Sequence, residues 1–425
     1  MISRQAYFAL STILLASGSF FVNYYLSQKM TLAAYGEFSL VYALVVLTIP
    51  LVMFGQATSI TAAYFSDEKR DCNNISREIS TSYKIIAYAF VATSTIALFI
   101  YQVFYRKEYE LYFVIWLLVA VLLGALKEYH LNLIVIFDRY KTYLTVSFVA
   151  TLASAFSVLI RPDILGYLFS IVVSSIVFLV FGIFLYMEGR SNSLKSRTFS
   201  QKELVILGWV AIPGMLVSSL NSYIDRYMIN LFIEIEDVAI YSLASVVGVG
   251  VGLTLITAIL KGSSISVLRS FQIGNYDKYL NIQKNINHLL IALALTSTAG
   301  YYAAGEWLVV NIFGNKYIDS ANYILPLFLA IIVVGQRQIY ASPLVQKKEM
   351  HILLYISIFI VALNVALNIL FIQILGIKGA ILAMFLAAIV DLTIVYIFAK
   401  RHFECVNFPW QFILILSCLE VGSLL

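Results

Sequence analysis

Residues 164–203 read ILGYLFSIVVSSIVFLVFGIFLYMEGRSNSLKSRTFSQKE, and the change of character at Glu188 decides the fold. The stretch 164–187 carries no charge and is long enough to span a bilayer, since a helix needs ~20 mostly apolar residues to cross the ~30 Å hydrocarbon layer. The segment that follows is the most polar in the chain and holds Arg190, Lys195, Arg197 and Lys202. Outward from it the alternation repeats. Apolar runs at 6–26, 36–65, 81–104, 110–136 and 142–160 precede it, and runs at 204–232, 238–266, 286–312, 321–345, 350–374 and 377–399 follow it. The polar segment therefore bisects about twelve spans, six and six. Six is even, so both halves enter the membrane in the same direction and would be parallel repeats about an axis along the membrane normal. The expected fold is all-α integral membrane, with about 12 transmembrane helices in two six-helix lobes.

The expected domains are an N-terminal lobe at 1–188, a cytoplasmic inter-lobe loop at 189–203, a C-terminal lobe at 204–401 and a hydrophobic tail at 402–425. The tail reads equally as a partial span or as a helix lying in the interface. At 61% hydrophobic and 12% charged, the 425 residues lie far from the soluble norm of ~45–50% and ~25%. Nineteen of the 28 Lys and Arg residues fall on the side that holds the N-terminus and six on the other. By the positive-inside rule the N-terminus is cytoplasmic. The net charge of +5 reflects that bias and does not argue for a nucleic-acid partner. The run after Arg4 is long and lacks a small-residue cleavage site, so it reads as a retained helix.

Enzyme signatures are missing from the sequence: there is no P-loop, GxGxxG, HExxH or GxSxG. Cys72, Cys405 and Cys418 form no CxxC pair, and His130, His288, His351 and His402 lie scattered. Neither a metal site nor any cofactor is expected.

The information lies in polar residues inside the spans, where a charge costs ~2.5–3.5 kcal/mol even on the gentlest scale and so faces a cavity, a partner or water. The seventh span contains Pro213-Gly214-Met215-Leu216-Val217-Ser218-Ser219-Leu220-Asn221-Ser222-Tyr223-Ile224-Asp225-Arg226. At helical spacing, Ser219, Ser222, Arg226 and Asn230 form one stripe, and Ser218, Asn221 and Asp225 its neighbour. This polar face either borders a substrate cavity or pairs with other helices. Lys127, Glu128 and His130 lie in the fourth span, Arg337 between Gln336 and Gln338 in the tenth, Asn364 and Asn368 in the eleventh, and Asp391 in the twelfth. Lys127 could instead snorkel, and the two asparagines could bond a neighbouring helix. The embedded cations Lys127, Arg226 and Arg337 come from both halves and suit an anionic ligand, phosphate especially.

Several phrases resemble the polysaccharide flippases (O-antigen, Wzx-type) of the MOP superfamily, relatives of the MATE exporters. They are Ala34-Tyr35-Gly36-Glu37-Phe38-Ser39-Leu40, Phe137-Asp138-Arg139-Tyr140-Lys141-Thr142-Tyr143, Ile212-Pro213-Gly214, Tyr223-Ile224-Asp225-Arg226-Tyr227-Met228-Ile229, Ile312-Phe313-Gly314-Asn315-Lys316-Tyr317 and Leu375-Gly376-Ile377-Lys378-Gly379-Ala380. The resemblance implies that an undecaprenyl-pyrophosphate-linked oligosaccharide passes from the cytoplasmic to the periplasmic leaflet of the bacterial inner membrane by alternating access. The expected substrate-binding residues are Arg226, Arg337, Lys127, Asn221 and Ser222, with Asp225 and Asp391 in coupling or gating. Expected partners are the lipid-linked oligosaccharide and membrane lipids, with room for a polysaccharide polymerase or chain-length partner. A monomer would suffice.

A MATE-like, cation-coupled drug exporter shares the architecture and is the principal alternative. A membrane glycosyl polymerase or ligase would need a large outer loop for its catalytic residues, and none of the outer loops here is long enough. A purely structural scaffold would leave the polar face of the seventh span without a purpose.

Overall fold

The computed structural model describes residues 4–65, 76–102, 111–137, 139–189, 200–272, 275–346, 349–402 and 410–424. Its helices are α1 (Arg4–Lys29), α2 (Leu32–Met53), α3 (Gln56–Phe65), α4 (Ser76–Ile100), α5 (Leu111–Ile136), α6 (Tyr140–Ile160) and α7 (Ile164–Gly189). Then come α8 (Gln201–Phe232), α9 (Ile235–Gln272), α10 (Tyr276–Phe313), α11 (Ala321–Gln346), α12 (Met350–Leu375), α13 (Ile377–His402) and α14 (Trp410–Leu424). Ten segments among the described residues are long and apolar enough to cross a membrane. With the more polar α1 and α10 beside them, the helices are compatible with about twelve spans. The protein is an all-α, multi-pass integral membrane protein. Most of the expected inter-lobe loop (190–199), and Asp138 in the fourth-span phrase, lie outside the described residues.

The outward surface shows why water is the wrong solvent. Ile374 is 77% exposed, Leu231 70% and Trp209 66%. Apolar exposure on this scale marks a surface made for another apolar phase, and lipid tails supply it.

The expected single span at 36–65 is two helices. The chain breaks at Phe54 and Gly55, with φ of 48° and 63°. Pro50, inside α2, contributes no N–H to the ladder. Gly55 takes the left-handed conformation at no steric cost, whereas Phe54 bears a strain that its surroundings must hold. The Phe54 carbonyl at the break is satisfied locally, as the hydrocarbon layer demands. Gln56 Nε2 donates to Phe54 O at 3.1 Å, and Ser59 Oγ donates to Gly55 O at 3.2 Å and Leu204 O at 3.1 Å.

The chain divides into two units. One holds 1–30 and 41–219; the other holds 31–40 and 220–425. Each of α2 and α8 therefore contributes to both. In the first unit α1 packs on α6, and α7 packs on α5 and α6, around a core of Ile134, Tyr143, Val146, Ala150 and Phe178. In the second, α11 packs against α9 and α13, and α12 against α13. The 15-residue α14 is shorter than a full span needs. It packs on α11 and buries Leu416 completely in the core of the second unit.

His130 shows how tightly the first unit is closed. A Cβ on Gly182 of α7 would lie 1.8 Å from its ring carbon Cδ2. The ring cannot retreat easily, because Nδ1 donates to Leu126 O at 2.7 Å while Nε2 accepts from the Tyr83 hydroxyl at 2.6 Å. Gly182→Ala is expected to cost about 1–3 kcal/mol, the usual penalty for overpacking a filled core. Thermal unfolding in detergent would show it as a lowered midpoint; an unchanged midpoint would mean that α5 and α7 separate freely here.

Candidate functional site

The second unit holds the polar face of the seventh span from Asn221 onward, now on α8, whose helix continues through Pro213 without interruption. The two stripes separate in use. On one, Asp225 is 2% exposed and accepts two hydrogen bonds, from Tyr241 Oη at 2.9 Å and Asn368 Nδ2 at 2.8 Å. Asn368 Nδ2 also donates to Asn364 Oδ1 at 2.8 Å, and Asn364 Nδ2 donates to Asn221 Oδ1 at 3.3 Å. One connected chain, Asn221–Asn364–Asn368–Asp225–Tyr241, thus ties α8, α12 and α9 together.

The sequence spacing explains the geometry. Asn221 and Asp225 are one turn apart on α8, and Asn364 and Asn368 are one turn apart on α12, so two ladders of equal rise face each other. The expectation that the asparagine pair bonds a neighbouring helix is met. Arg226, on the other stripe, is 5% exposed, and its guanidinium lies 4.9 Å from the centre of the Tyr223 ring. Ser222 is exposed.

In the same unit, Arg337 of α11 and Asp391 of α13 meet. Arg337 Nε stands 2.7 Å from Asp391 Oδ2, with the side chains 20% and 15% exposed. Arg337 also donates to Ser357 Oγ at 3.3 Å. These two residues carried separate expectations, and the structure joins them. The signal was available: one cation and one carboxylate, each deep in an otherwise apolar helix, lower each other's cost by pairing.

Lys127 belongs to the first unit. With Glu128 it lines a cavity of about 290 Å³ bounded by α1, α2, α5, α6 and α7. Its ammonium sits 5.6 Å from the centre of the Phe178 ring. The expected substrate residues therefore fall into three places: Arg226 beside the Asn221–Asp225 chain, with Ser222 on the same helix; Arg337 paired with Asp391; and Lys127 in the first-unit cavity.

Sequence reading missed a buried polar cluster in the first unit, where Ser82 Oγ donates to Gln56 Oε1 at 3.0 Å and Glu78 is fully buried. These residues sit at helix ends, where polar side chains are unremarkable, so their burial left no mark on the sequence. Among the described residues, no group of His, Cys, Asp and Glu could hold a metal.

Comparison with known proteins agrees with this architecture. The lipid II flippase MurJ, in an inward closed conformation, superposes with a TM-score of 0.63 at 15% identity, over 97% of this chain and 91% of its own. A mutant of the Vibrio cholerae MATE transporter VcmN matches with a TM-score of 0.63 at 13% identity, over 94% and 95%. A MOP superfamily transporter from Pyrococcus furiosus matches at 0.61 and 12% identity, over 98% and 96%. At these identities the likeness establishes the fold alone. None of the curated proteins matches the sequence. The family described as polysaccharide biosynthesis protein matches residues 4–265, well over half of the chain. With the fold of the MOP superfamily and that match over its first and longer part, the chain belongs to the polysaccharide biosynthesis protein family.

Proposed function

We propose that the protein is a flippase for an undecaprenyl-pyrophosphate-linked oligosaccharide, an O-antigen or similar surface-polysaccharide repeat unit. It carries its substrate from the cytoplasmic to the periplasmic leaflet of the bacterial inner membrane by alternating access, with its N-terminus in the cytoplasm. The single observation that carries this reading is the family match over residues 4–265, which ties a transporter-like fold to polysaccharide synthesis. The embedded cations support it. Arg226, buried and with its guanidinium 4.9 Å from the centre of the Tyr223 ring, is a cation of the type that binds a pyrophosphate oxygen.

Arg337 and Lys127 are the further candidate contacts for the head, with Asn221 and Ser222 beside Arg226. Asp225 and Asp391 are the candidates for coupling or gating. The prenyl chain stays in lipid throughout, because drawing it through a polar cavity would forfeit its burial. No chemical step is assigned to the protein.

Complementation tests the proposal. In a bacterium lacking its lipid-linked O-unit flippase, the wild-type protein is expected to restore surface polysaccharide in a matched or broad-specificity host, and Arg226→Ala at equal expression is expected not to. Gained resistance to cationic drugs, with no rescue in any host, would overturn the proposal in favour of a MATE-like exporter.

A further inference from the structure

The first-unit cavity has the chemistry of a carbohydrate site, and we infer that it binds one sugar ring of the transported head; this inference rests on the flippase reading. Its volume of about 290 Å³ lies at the small end of the ~300–1,000 Å³ typical of ligand pockets, so it holds a ring and not an oligosaccharide.

The walls specify what kind of ring. A hydroxyl has one proton to give and two lone pairs to accept with. At four lining side chains a proton is already committed to a helix carbonyl. Thr151 Oγ1 donates to Leu14 O at 3.3 Å, Ser170 Oγ to Tyr167 O at 2.7 Å, and Ser174 Oγ to Ile171 O at 3.0 Å. Asn23 Nδ2 donates to Ser19 O at 2.8 Å. What the three hydroxyls of Thr151, Ser170 and Ser174 offer a guest is oxygen lone pairs, and Glu128 adds a carboxylate.

A phosphate carries acceptors of its own and finds a poor match on such a wall. A polyol carries a donor on every hydroxyl and finds a good one. Lys127 supplies the complementary charged donor, and its formal charge cancels that of Glu128, so the cavity favours a guest without net charge.

The apolar part of the lining points the same way. Tyr42 and Tyr167 both border the cavity with ring centres 5.8 Å apart, beside Val45 and Ile49. Aromatic faces of this kind receive the C–H face of a pyranose while the ring's hydroxyls bond around its edge. Acceptors at the edge, aromatic rings at the face and one balanced charge pair together describe a sugar.

The test compares lipids that differ only by a sugar. Binding to the full-length protein in nanodiscs is measured by native mass spectrometry for bare undecaprenyl pyrophosphate and for the same lipid bearing a single glucose, galactose or N-acetylglucosamine. At least one glycosylated lipid is expected to bind about tenfold more tightly than the bare one. Ser154→Leu and Ser174→Leu, which fill the cavity from α6 and α7, are expected to erase that preference while binding the bare lipid as the wild type does.

Equal binding of the bare lipid and all three glycolipids by the wild type would overturn the sugar site and leave the flippase reading standing. An equal loss of bare and glycosylated lipid in both variants would also overturn it, because the cavity would then hold the pyrophosphate. Failure of the wild type to bind any of the lipids would overturn the flippase reading and this inference together. The wild-type comparison stands even if a variant does not fold.

Discussion

Asp225→Asn is expected to abolish export and to lower the thermal midpoint, although the fold is kept. The carboxylate accepts from Tyr241 on one oxygen and from Asn368 on the other. An asparagine keeps one acceptor, and the Tyr241 hydroxyl can turn to accept from the new amide, so the polar chain survives. What is lost is the negative charge next to Arg226, in a place where both residues are buried.

Asp225→Leu separates the two contributions. Hydrogen bonds within membrane proteins are worth on average ~0.6 kcal/mol each, so losing two of them is a modest matter. Stripping the carboxylate from beside a buried guanidinium is larger, about 3–5 kcal/mol where such pairs are broken one-sidedly in water-soluble cores. The charge effect dominates. Both variants lose the charge and are therefore expected to lower the thermal midpoint clearly, the leucine variant somewhat further because it also loses the two hydrogen bonds. Both are expected to reduce surface polysaccharide in the complemented host below about a tenth of wild type, a barrier increase of ~1.4 kcal/mol or more. Wild-type export by Asp225→Asn would remove the carboxylate from coupling and gating, and reduce Asp225 to a structural tie between α8, α9 and α12.

The chain's hydropathy specified the fold almost completely, because the bilayer imposes a length and a polarity that few sequences meet by accident. Stretches such as 164–187 admit no other reading. The exception was the span at 36–65. Its apolar composition continues smoothly through Phe54 and Gly55, while the break there depends on backbone conformation and on Gln56 and Ser59 satisfying carbonyls locally.

The site was legible in residue type and depth, but less so in partnership. Asn221, Asp225, Asn364 and Asn368 could be recognised as polar faces from their one-turn spacing, and they do face one another. Tyr241 could not be recognised as the other donor to Asp225, since one tyrosine among 29 carries no mark. Nor could the cavity around Lys127 be seen, because its walls come from five helices and its hydroxyls look like ordinary helix serines until their protons are traced to the backbone.

Arg337 and Asp391 raise the sharpest question, because a salt bridge can be either a strut or a latch. Arg337→Leu alone strands a carboxylate that is only 15% exposed, and Asp391→Leu alone strands a guanidinium that is 20% exposed. Each single variant is expected to lose several kcal/mol and to export nothing. The double variant Arg337→Leu/Asp391→Leu removes both charges and their desolvation cost together, and replacing a buried pair by apolar residues is often neutral or stabilising by ~1–4 kcal/mol. Its thermal midpoint is therefore expected to return to the wild-type value or above, which makes the coupling energy in the double-mutant cycle at least as large as the two single losses added together. Export is expected to stay abolished, since a stable leucine pair can neither open nor offer a cation to a pyrophosphate. The two readouts separate the roles. A double variant that recovers stability and export together would make the pair a strut and strike Arg337 from the substrate contacts. Recovery of stability alone would leave the pair as a latch whose guanidinium is released to the substrate during transport.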